Sequence, residues 1–96
     1  MYARLVMLAV GAENRPAMEQ LADASARQYR TLKGFQGVTF LADDAQGQYG
    51  SLSRWESRED AEAAGQQMGP AMQQAVAGIA KGPPVVQVFE VYEPQG

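Results

Sequence analysis

The 96-residue sequence contains neither histidine nor cysteine. Without imidazole the chain can build no Ser-His-Asp or Cys-His catalytic group, and it offers no histidine ligand to zinc, copper or haem iron. Without thiols it can form no disulfide, as is common in cytoplasmic proteins. We therefore expect a cytoplasmic protein with no metal and no cofactor, and most common enzyme mechanisms are excluded.

Long apolar runs and an excess of positive charge are also missing. The stretch Leu5 to Val10 spans six apolar residues, too few for a membrane helix or the core of a signal peptide. Eight basic residues stand against 11 acidic ones, giving a net charge of −3. The basic residues are scattered along the chain, so the sequence predicts no membrane partner and no nucleic-acid partner.

Hydrophobic patterning predicts six elements in a single domain, residues 1–96. Strands are expected at Tyr2 to Val10, Phe35 to Ala42, Gln48 to Glu56 and Val85 to Glu93. A first helix is expected from an Asn14 N-cap to Lys33, and a second from a Ser57 N-cap. Gly69-Pro70 is expected to break that second helix, with another helical piece at Ala71 to Ala80. This βαββαβ order predicts an α+β, ferredoxin-like fold, a four-stranded antiparallel sheet with both helices on one face.

The second face of this sheet also needs cover. Apolar residues occur on both faces of the first and last strands, whereas the helices can bury one face only. The sheet of a second copy would cover the other face economically. We therefore expect a homodimer formed through the sheet faces.

The stretch Tyr49 to Trp55 predicts a binding site. Its alternate residues Tyr49, Ser51, Ser53 and Trp55 point to one face of a strand, so two rings are separated by two small hydroxyl side chains. Small residues between large ones leave a hollow that a ligand or a neighbouring helix can fill. Trp55, the only tryptophan, either lines this hollow or anchors the core.

Three further residues are candidates for the same hollow. Tyr29 lies on the inner face of the first helix, where it either sends its hydroxyl into a cavity or packs in the core. Met68 and Met72 flank the expected helix break, and flexible methionines there either border a pocket or fill a gap.

Glu90 is the titratable residue that the sequence places among apolar neighbours. It shares a strand face with valines and lies near the strands that carry Arg4 and Arg54. One interpretation is a structural ion pair between Glu90 and one of these arginines. The other is an unpaired carboxylate that serves as a base.

Several of these stretches together resemble a known family. The pattern Gly34-Phe35-Gln36-Gly37, a hairpin, the helix start WESREDA at residues 55–61 and a final strand ending FEVY at residues 89–92 resemble the antibiotic biosynthesis monooxygenase family. The resemblance implies a dimeric α+β barrel, with Trp55 at the position of the tryptophan that lines the family's cavity.

The resemblance also implies an activity. Some members are cofactor-independent monooxygenases of quinols and polycyclic aromatic molecules, and others degrade haem with a histidine ligand and a first-strand asparagine. Here the chain has no histidine and the first strand begins Tyr2-Ala3-Arg4-Leu5, so haem degradation is not expected. The implied function is a cofactor-independent monooxygenase acting on a small aromatic or quinol-like molecule. The alternative is a non-catalytic dimeric barrel module that binds a hydrophobic metabolite.

Overall fold

A computed structural model describes residues 1–95 as four strands and two α-helices. The elements are β1 (Tyr2–Ala9), α1 (Arg15–Tyr29), β2 (Phe35–Asp43), β3 (Gln48–Trp55), α2 (Arg58–Val76) and β4 (Val85–Glu90). All strand pairs are antiparallel, and the sheet order is β2-β3-β1-β4. The predicted ferredoxin-like α+β fold is confirmed.

The strand register decides which side chains face the helices. Arg4 of β1 lies opposite Ser53 of β3, and Leu8 lies opposite Tyr49. Directly opposed residues of an antiparallel pair share a face, so these four side chains point to the same side. Val10, which follows β1 on this face, is fully buried. The alternation predicted for Tyr49 to Trp55 is therefore present, with that face turned toward the helices.

Two clusters of buried side chains join the helices to this face. Near one end, Leu8 and Tyr49 of the sheet pack with Met18 of α1 and Val76 of α2. A second cluster, built around Trp55, contains Tyr29, Ala61, Ala64 and Met68. Because each cluster draws side chains from α1, α2 and the sheet, both helices are held on one face by apolar burial.

The two predicted helix caps had different outcomes. Ser57 caps α2 as expected, since its Oγ accepts a hydrogen bond of 3.1 Å from the backbone N–H of Asp60. Asn14 precedes α1 but its side chain makes no cap, because its Nδ2 donates to the carbonyl of Val10 at 2.7 Å. The Asn14 amide instead ties the short 3-10 turn Ala12–Asn14 back to the end of β1.

The predicted break at Gly69-Pro70 is wrong. The helix α2 runs through both residues without interruption from Arg58 to Val76. Proline disfavours helical geometry in the preceding residue through clashes with the backbone N–H and the Cβ of that residue, and Gly69, which has no Cβ, avoids one of the two. The methionines on either side, Met68 and Met72, pack in the Trp55 cluster and against the Tyr49 cluster, respectively, and this packing stabilises the continuous helix.

Three elements end earlier than predicted. The helix α2, expected to reach Ala80 in its second piece, stops at Val76. The helix α1 stops at Tyr29, where Thr31 donates both its backbone N–H and its hydroxyl to the carbonyl of Gln28 and turns the chain. The strand β4 ends at Glu90, because its partner β1 begins at Tyr2, the residue opposite Glu90. Within residues 1–95, no helix has the length and hydropathy needed to cross a membrane.

The sheet face away from the helices carries exposed apolar side chains. Leu41, Val85 and Phe89 point to this side and are 37%, 53% and 47% exposed. Leu5 and Leu52 lie opposite each other between them and are half-buried. We call this surface, defined by these five residues, the outer face.

Candidate functional site

A cavity of about 320 Å³ lies between α1, α2 and the helix-facing side of the sheet. Its wall is mostly apolar, with side chains such as Val6, Leu21 and Phe40, and a few polar groups reach it from β1, β3 and α1. Its volume lies at the lower end of the range of about 300 to 1,000 Å³ that is usual for ligand sites. The cavity suits a small, largely apolar molecule.

The structure brings most of the predicted site residues to this cavity. Its wall contains Tyr29, Tyr49, Ser51, Met68 and Met72. The two methionines lie on consecutive turns of the unbroken α2, so they border the cavity through helix geometry and not through a break. The two other predicted residues are fully buried in the core and lie outside the wall.

Those two residues, Trp55 and Ser53, form a hydrogen-bonded pair beside the cavity. The indole N–H of Trp55 donates to Ser53 Oγ at 2.9 Å, and Ser53 Oγ donates in turn to the Arg4 carbonyl at 3.4 Å. The indole ring meets Tyr29 and Phe35 edge to face, with centroids 5.8 and 5.5 Å apart. Trp55 thus supports the wall residue Tyr29 from inside the core, and a direct contact with a ligand stays a prediction.

A polar network joins α1 to the β2–β3 turn at the cavity. Asp44 Oδ1 accepts a hydrogen bond of 2.6 Å from the Tyr49 hydroxyl, and Arg15 donates to both carboxylate oxygens of Asp44 at 2.9 and 3.1 Å. The hydrogen bond from Tyr49, followed by that from Arg15, lowers the pKa of Asp44. The same bond, aided by burial, raises the pKa of Tyr49 to about 12. Tyr49 is therefore a neutral phenol that cannot serve as a base near neutral pH.

Arg4 is a wall residue with an unusual environment. It is only 6% exposed, yet its guanidinium makes no ion pair and no hydrogen bond to any residue in the range 1–95. The guanidinium lies against Gly65 of α2, where an added Cβ would come within 3.0 Å of Arg4 Nε and Nη2.

The predicted ion pair of Glu90 with Arg4 or Arg54 is not formed between the described residues. Glu90 is exposed near the end of β4, and Val88, not Glu90, lies opposite Arg4. Arg54 points to the other side of the sheet, where it reaches Thr39 Oγ1 at 3.4 Å. The strand register therefore places Arg54 on the other side of the sheet from Glu90, whereas Arg4, on the same side as Glu90, has its guanidinium against Gly65 of α2.

Metal ligands are not grouped anywhere in residues 1–95. No three acidic side chains lie close enough together there to hold a metal ion. The polar groups of the wall are an arginine-carboxylate network, the lone guanidinium of Arg4, hydroxyls and the amide of Gln28. The arrangement can bind and orient an apolar ring, and it presents one unmatched positive charge.

Comparison with known proteins identifies the family. The sequence profile described as antibiotic biosynthesis monooxygenase matches residues 1–78, most of the chain. The chain belongs to the antibiotic biosynthesis monooxygenase family. A search among curated proteins found no match.

Solved structures of similar fold span several functions. A monooxygenase of Streptomyces coelicolor in complex with Nanaomycin D is 16% identical, with a TM-score of 0.77 covering 98% of this chain and 89% of that one. The haem degrader MhuD of Mycobacterium tuberculosis, with two haems in its active site, is 26% identical, with a TM-score of 0.71 covering 100% of both chains. A protein of unknown function from Nitrosomonas europaea is 15% identical, with a TM-score of 0.78 covering 99% and 95%.

For this family member, the sequence does not predict three features of the site. Arg4 was considered for an ion pair and not as a wall residue, although a lone charge inside the apolar strand YARLVMLAV was a usable signal. Gly65 was not singled out, although a glycine inside a helix often marks a close approach of another group. The Asp44 bond to Tyr49 had no comparable signal, because it depends on the geometry of the hairpin turn.

Proposed function

We propose that this family member is a cofactor-independent monooxygenase that oxidises a small aromatic or quinol-like molecule bound in the cavity. Membership of the antibiotic biosynthesis monooxygenase family supports the reaction type. The observation that carries the proposal is the apolar cavity of about 320 Å³, whose wall combines the rings of Tyr29 and Tyr49 with small side chains such as Ser51. A flat ring fits between such walls with its polar substituents near the hydroxyls.

The substrate itself would supply the electrons. A deprotonated phenol can transfer one electron to dioxygen, and the resulting radicals combine by forming a carbon–oxygen bond at a hydrogen-bearing ring carbon ortho or para to the phenolic oxygen. The peroxide takes up a proton, the hydrogen on that carbon then leaves as a proton, and the oxygen–oxygen bond breaks. One oxygen atom stays as the second carbonyl of a quinone and the other leaves as water, so no further reductant is needed.

The protein would contribute position and exclusion of water in this scheme. The wall offers no evident general base, because Tyr49 holds its proton and Glu19 is exposed and paired with Arg15 at 3.4 Å. Orienting the ring inside an apolar cavity protects the radical and peroxide stages from side reactions. The loss of the phenolic proton therefore depends on the acidity of the bound substrate.

Haem degradation is not part of this proposal. The similar structure of MhuD holds haem, but that property belongs to MhuD. The present chain has no histidine to act as an iron ligand. We keep one second candidate, a non-catalytic module that binds a hydrophobic metabolite, because the wall lacks an acid–base pair.

We further propose that the protein acts as a homodimer joined through the outer face, as a single domain in the cytoplasm. The exposed apolar side chains Leu41, Val85 and Phe89 of this face support the dimer. A surface of this kind on a small domain is typical of a contact with another protein. Packing two such sheets face to face would bury it and leave the cavities on the helix sides free.

Oxygen uptake tests the proposed reaction. A panel of hydroquinones, naphthohydroquinones and anthrones is supplied to the purified protein, with an oxygen electrode and product identification by mass spectrometry under ¹⁸O₂. We expect uptake above the spontaneous rate, and one labelled oxygen atom in the product. Ala22→Trp, on the wall, should lower the enzymatic rate at least about tenfold by filling the cavity.

The matched control is Ala17→Trp, an equal change on the exposed side of the same helix, away from the wall. It should leave the rate unchanged. Binding of panel members without any oxygen uptake would favour the non-catalytic module and reject the monooxygenase.

A further inference from the structure

We infer that the cavity binds its aromatic ligand as an oxyanion, a carboxylate or a phenolate, with Arg4 as the residue that holds the negative charge. The aromatic nature of the ligand rests on the proposed function, whereas the oxyanion site rests on Arg4 itself. The structural feature behind it is a buried guanidinium that has no partner among residues 1–95 and belongs to a residue of the cavity wall.

The isolation of the Arg4 guanidinium points to a missing partner. A buried charge is costly unless it is paired and hydrogen-bonded, and arginines inside proteins almost always have partners. Among residues 1–95, no carboxylate lies within 4.0 Å of the Arg4 nitrogens, and none of these nitrogens donates a hydrogen bond. No buried side-chain nitrogen in that range is both unpartnered and fully enclosed, so the Arg4 nitrogens reach open space. For a wall residue, that space is the cavity.

The other charges of the wall are already matched. Arg15 donates to the carboxylates of both Glu19 and Asp44, and Asp44 also accepts from Tyr49. This network lies at the end of β3 that carries Tyr49, whereas Arg4 lies opposite Ser53, four residues further along β3. The Arg4 charge is therefore separate from the network and is left for a ligand.

Gly65 makes room for the guanidinium. Glycine inside a helix costs about 0.5 to 1 kcal/mol relative to alanine, so α2 would be more stable with a side chain at this position. An alanine Cβ would come within 3.0 Å of Arg4 Nε and Nη2, tighter than ordinary contacts. The glycine thus lets the guanidinium lie flat against the helix, with its other side free to face the cavity. A planar guanidinium suits the two oxygens of a carboxylate, or a single phenolate oxygen.

An oxyanion at Arg4 would also fill a gap in the proposed reaction. A positive charge within about 4 to 6 Å favours the ionised form of an acid and lowers its pKa by about 1 to 3. A phenol bound beside Arg4 would therefore lose its proton without a general base. Where the ligand instead carries a carboxylate, Arg4 would fix the orientation of the ring.

Equilibrium binding under nitrogen tests the oxyanion site without any oxidation. The probes are 2-naphthoate and its neutral counterpart 2-naphthamide, with affinities measured by isothermal titration calorimetry. We expect the wild-type protein to bind the naphthoate about ten- to a hundredfold more tightly than the amide. Arg4→Gln should remove this preference while circular dichroism shows an unchanged fold.

Arg54→Gln is the matched control, since it removes an arginine from the opposite side of the sheet, away from the wall. It should keep the preference for the naphthoate. Gly65→Ala should weaken naphthoate binding several-fold by displacing the guanidinium, which tests the site even where Arg4→Gln folds poorly.

A second probe, 4-nitrophenol, separates the two kinds of oxyanion. Its anion absorbs visible light, so its ionisation can be followed while it is bound. A phenolate site predicts that binding moves the midpoint of this ionisation down by about 1 to 3 pH units, and that Arg4→Gln abolishes the shift. Naphthoate preference without this shift would identify a carboxylate site.

Equal affinity for naphthoate and naphthamide, together with an unshifted nitrophenol, would overturn the inference. So would an oxyanion preference that survives in Arg4→Gln. These outcomes are independent of oxygen uptake. Arg4-dependent binding without oxygen uptake would reject the monooxygenase and support the oxyanion site. Oxygen uptake without Arg4-dependent binding would support the monooxygenase and reject the oxyanion site.

Discussion

Two buried polar side chains, those of Trp55 and Arg4, differ in whether they have a hydrogen-bond partner. The indole N–H of Trp55 has a partner in Ser53 Oγ at 2.9 Å, and its ring contacts two other aromatic rings. The guanidinium of Arg4 has no partner among residues 1–95. A satisfied polar group stabilises the core, whereas an unsatisfied one at a cavity is better explained by a ligand.

Trp55→Phe should destabilise the protein by about 1 to 3 kcal/mol. The smaller ring leaves unfilled space in the Trp55 cluster, and it removes one of the two hydrogen-bond partners of buried Ser53 Oγ. Urea denaturation followed by circular dichroism would measure the loss. Tyr92→Phe is the control, because Tyr92 is 80% exposed and the same loss of a polar group there should change the free energy of unfolding by less than about 0.5 kcal/mol. Equal stabilities of Trp55→Phe and the wild type would contradict this role.

At the scale of elements, the Arg15, Asp44 and Tyr49 network holds α1 to the β2–β3 hairpin. The two elements are joined by a carboxylate that accepts hydrogen bonds from both sides. This contact positions Tyr49 in the cavity wall with its hydroxyl turned to Asp44. It also makes the stability of the contact depend on pH, because the pKa values of both Asp44 and Tyr49 are displaced.

The stability that the Tyr49 hydrogen bond supplies should be lost in alkali. Its pKa is raised from 10.0 to about 12 by the hydrogen bond to Asp44. A raised pKa in the folded state contributes stability that is complete below the unfolded value, about 10, and disappears as the pH rises toward about 12. The free energies of unfolding of the wild type and of Tyr49→Phe, measured from pH 8 to 12, should therefore approach each other between pH 10 and about 12.

The contribution of Asp44 to stability depends on pH in the opposite direction, because it is lost in acid and not in alkali. The pKa of Asp44 is lowered, so its contribution is complete above the usual value, 3.8, and falls as the pH drops below it. The free energy of unfolding of Asp44→Asn should therefore fall less in acid than that of the wild type.

For the alkaline prediction, a constant difference in the free energy of unfolding between wild type and Tyr49→Phe from pH 8 to 12 would contradict the hydrogen-bond account.

At the scale of the whole molecule, the two sides of the sheet have different tasks. The side toward the helices encloses the cavity and both clusters of buried residues. The outer face keeps Val85 and Phe89 about half exposed in the single chain. A small domain gains stability by covering such a face, so the proposed dimer and the cavity would use opposite sides of one sheet.

Phe89→Glu should weaken the dimer at least about tenfold, because it places a charge in an apolar interface. Val86→Glu is a matched control, since Val86 is 46% exposed on the same strand but points to the helix side, whereas Phe89 is 47% exposed on the outer face. Size-exclusion chromatography with light scattering would show a monomer for Phe89→Glu and a dimer for the control. A wild-type protein that is monomeric at micromolar concentration would reject the dimer.

The sequence by itself determined the order of the elements, the antiparallel sheet, the buried face of β3 and the cap at Ser57. These depend on periodicity and on local hydrogen bonds, which neighbouring residues dictate. It also predicted five residues of the cavity wall, Tyr29, Tyr49, Ser51, Met68 and Met72, because a strand's alternation and a helix's spacing decide which side chains share a face.

Tertiary structure alone decided the rest. The helix α2 continues through Pro70 because packing on both sides outweighs one lost hydrogen bond. Glu90 and Arg54 are separated because register, which no local pattern contains, places them on opposite sides of the sheet. Trp55 lies in the core and Arg4 in the cavity wall, although both side chains point to the helix side of the sheet. How α2 packs on the sheet decides this difference, and that packing exists only in the folded chain. The sequence shows a single charge at Arg4 within an apolar strand, and only the structure shows that this charge has no partner among residues 1–95.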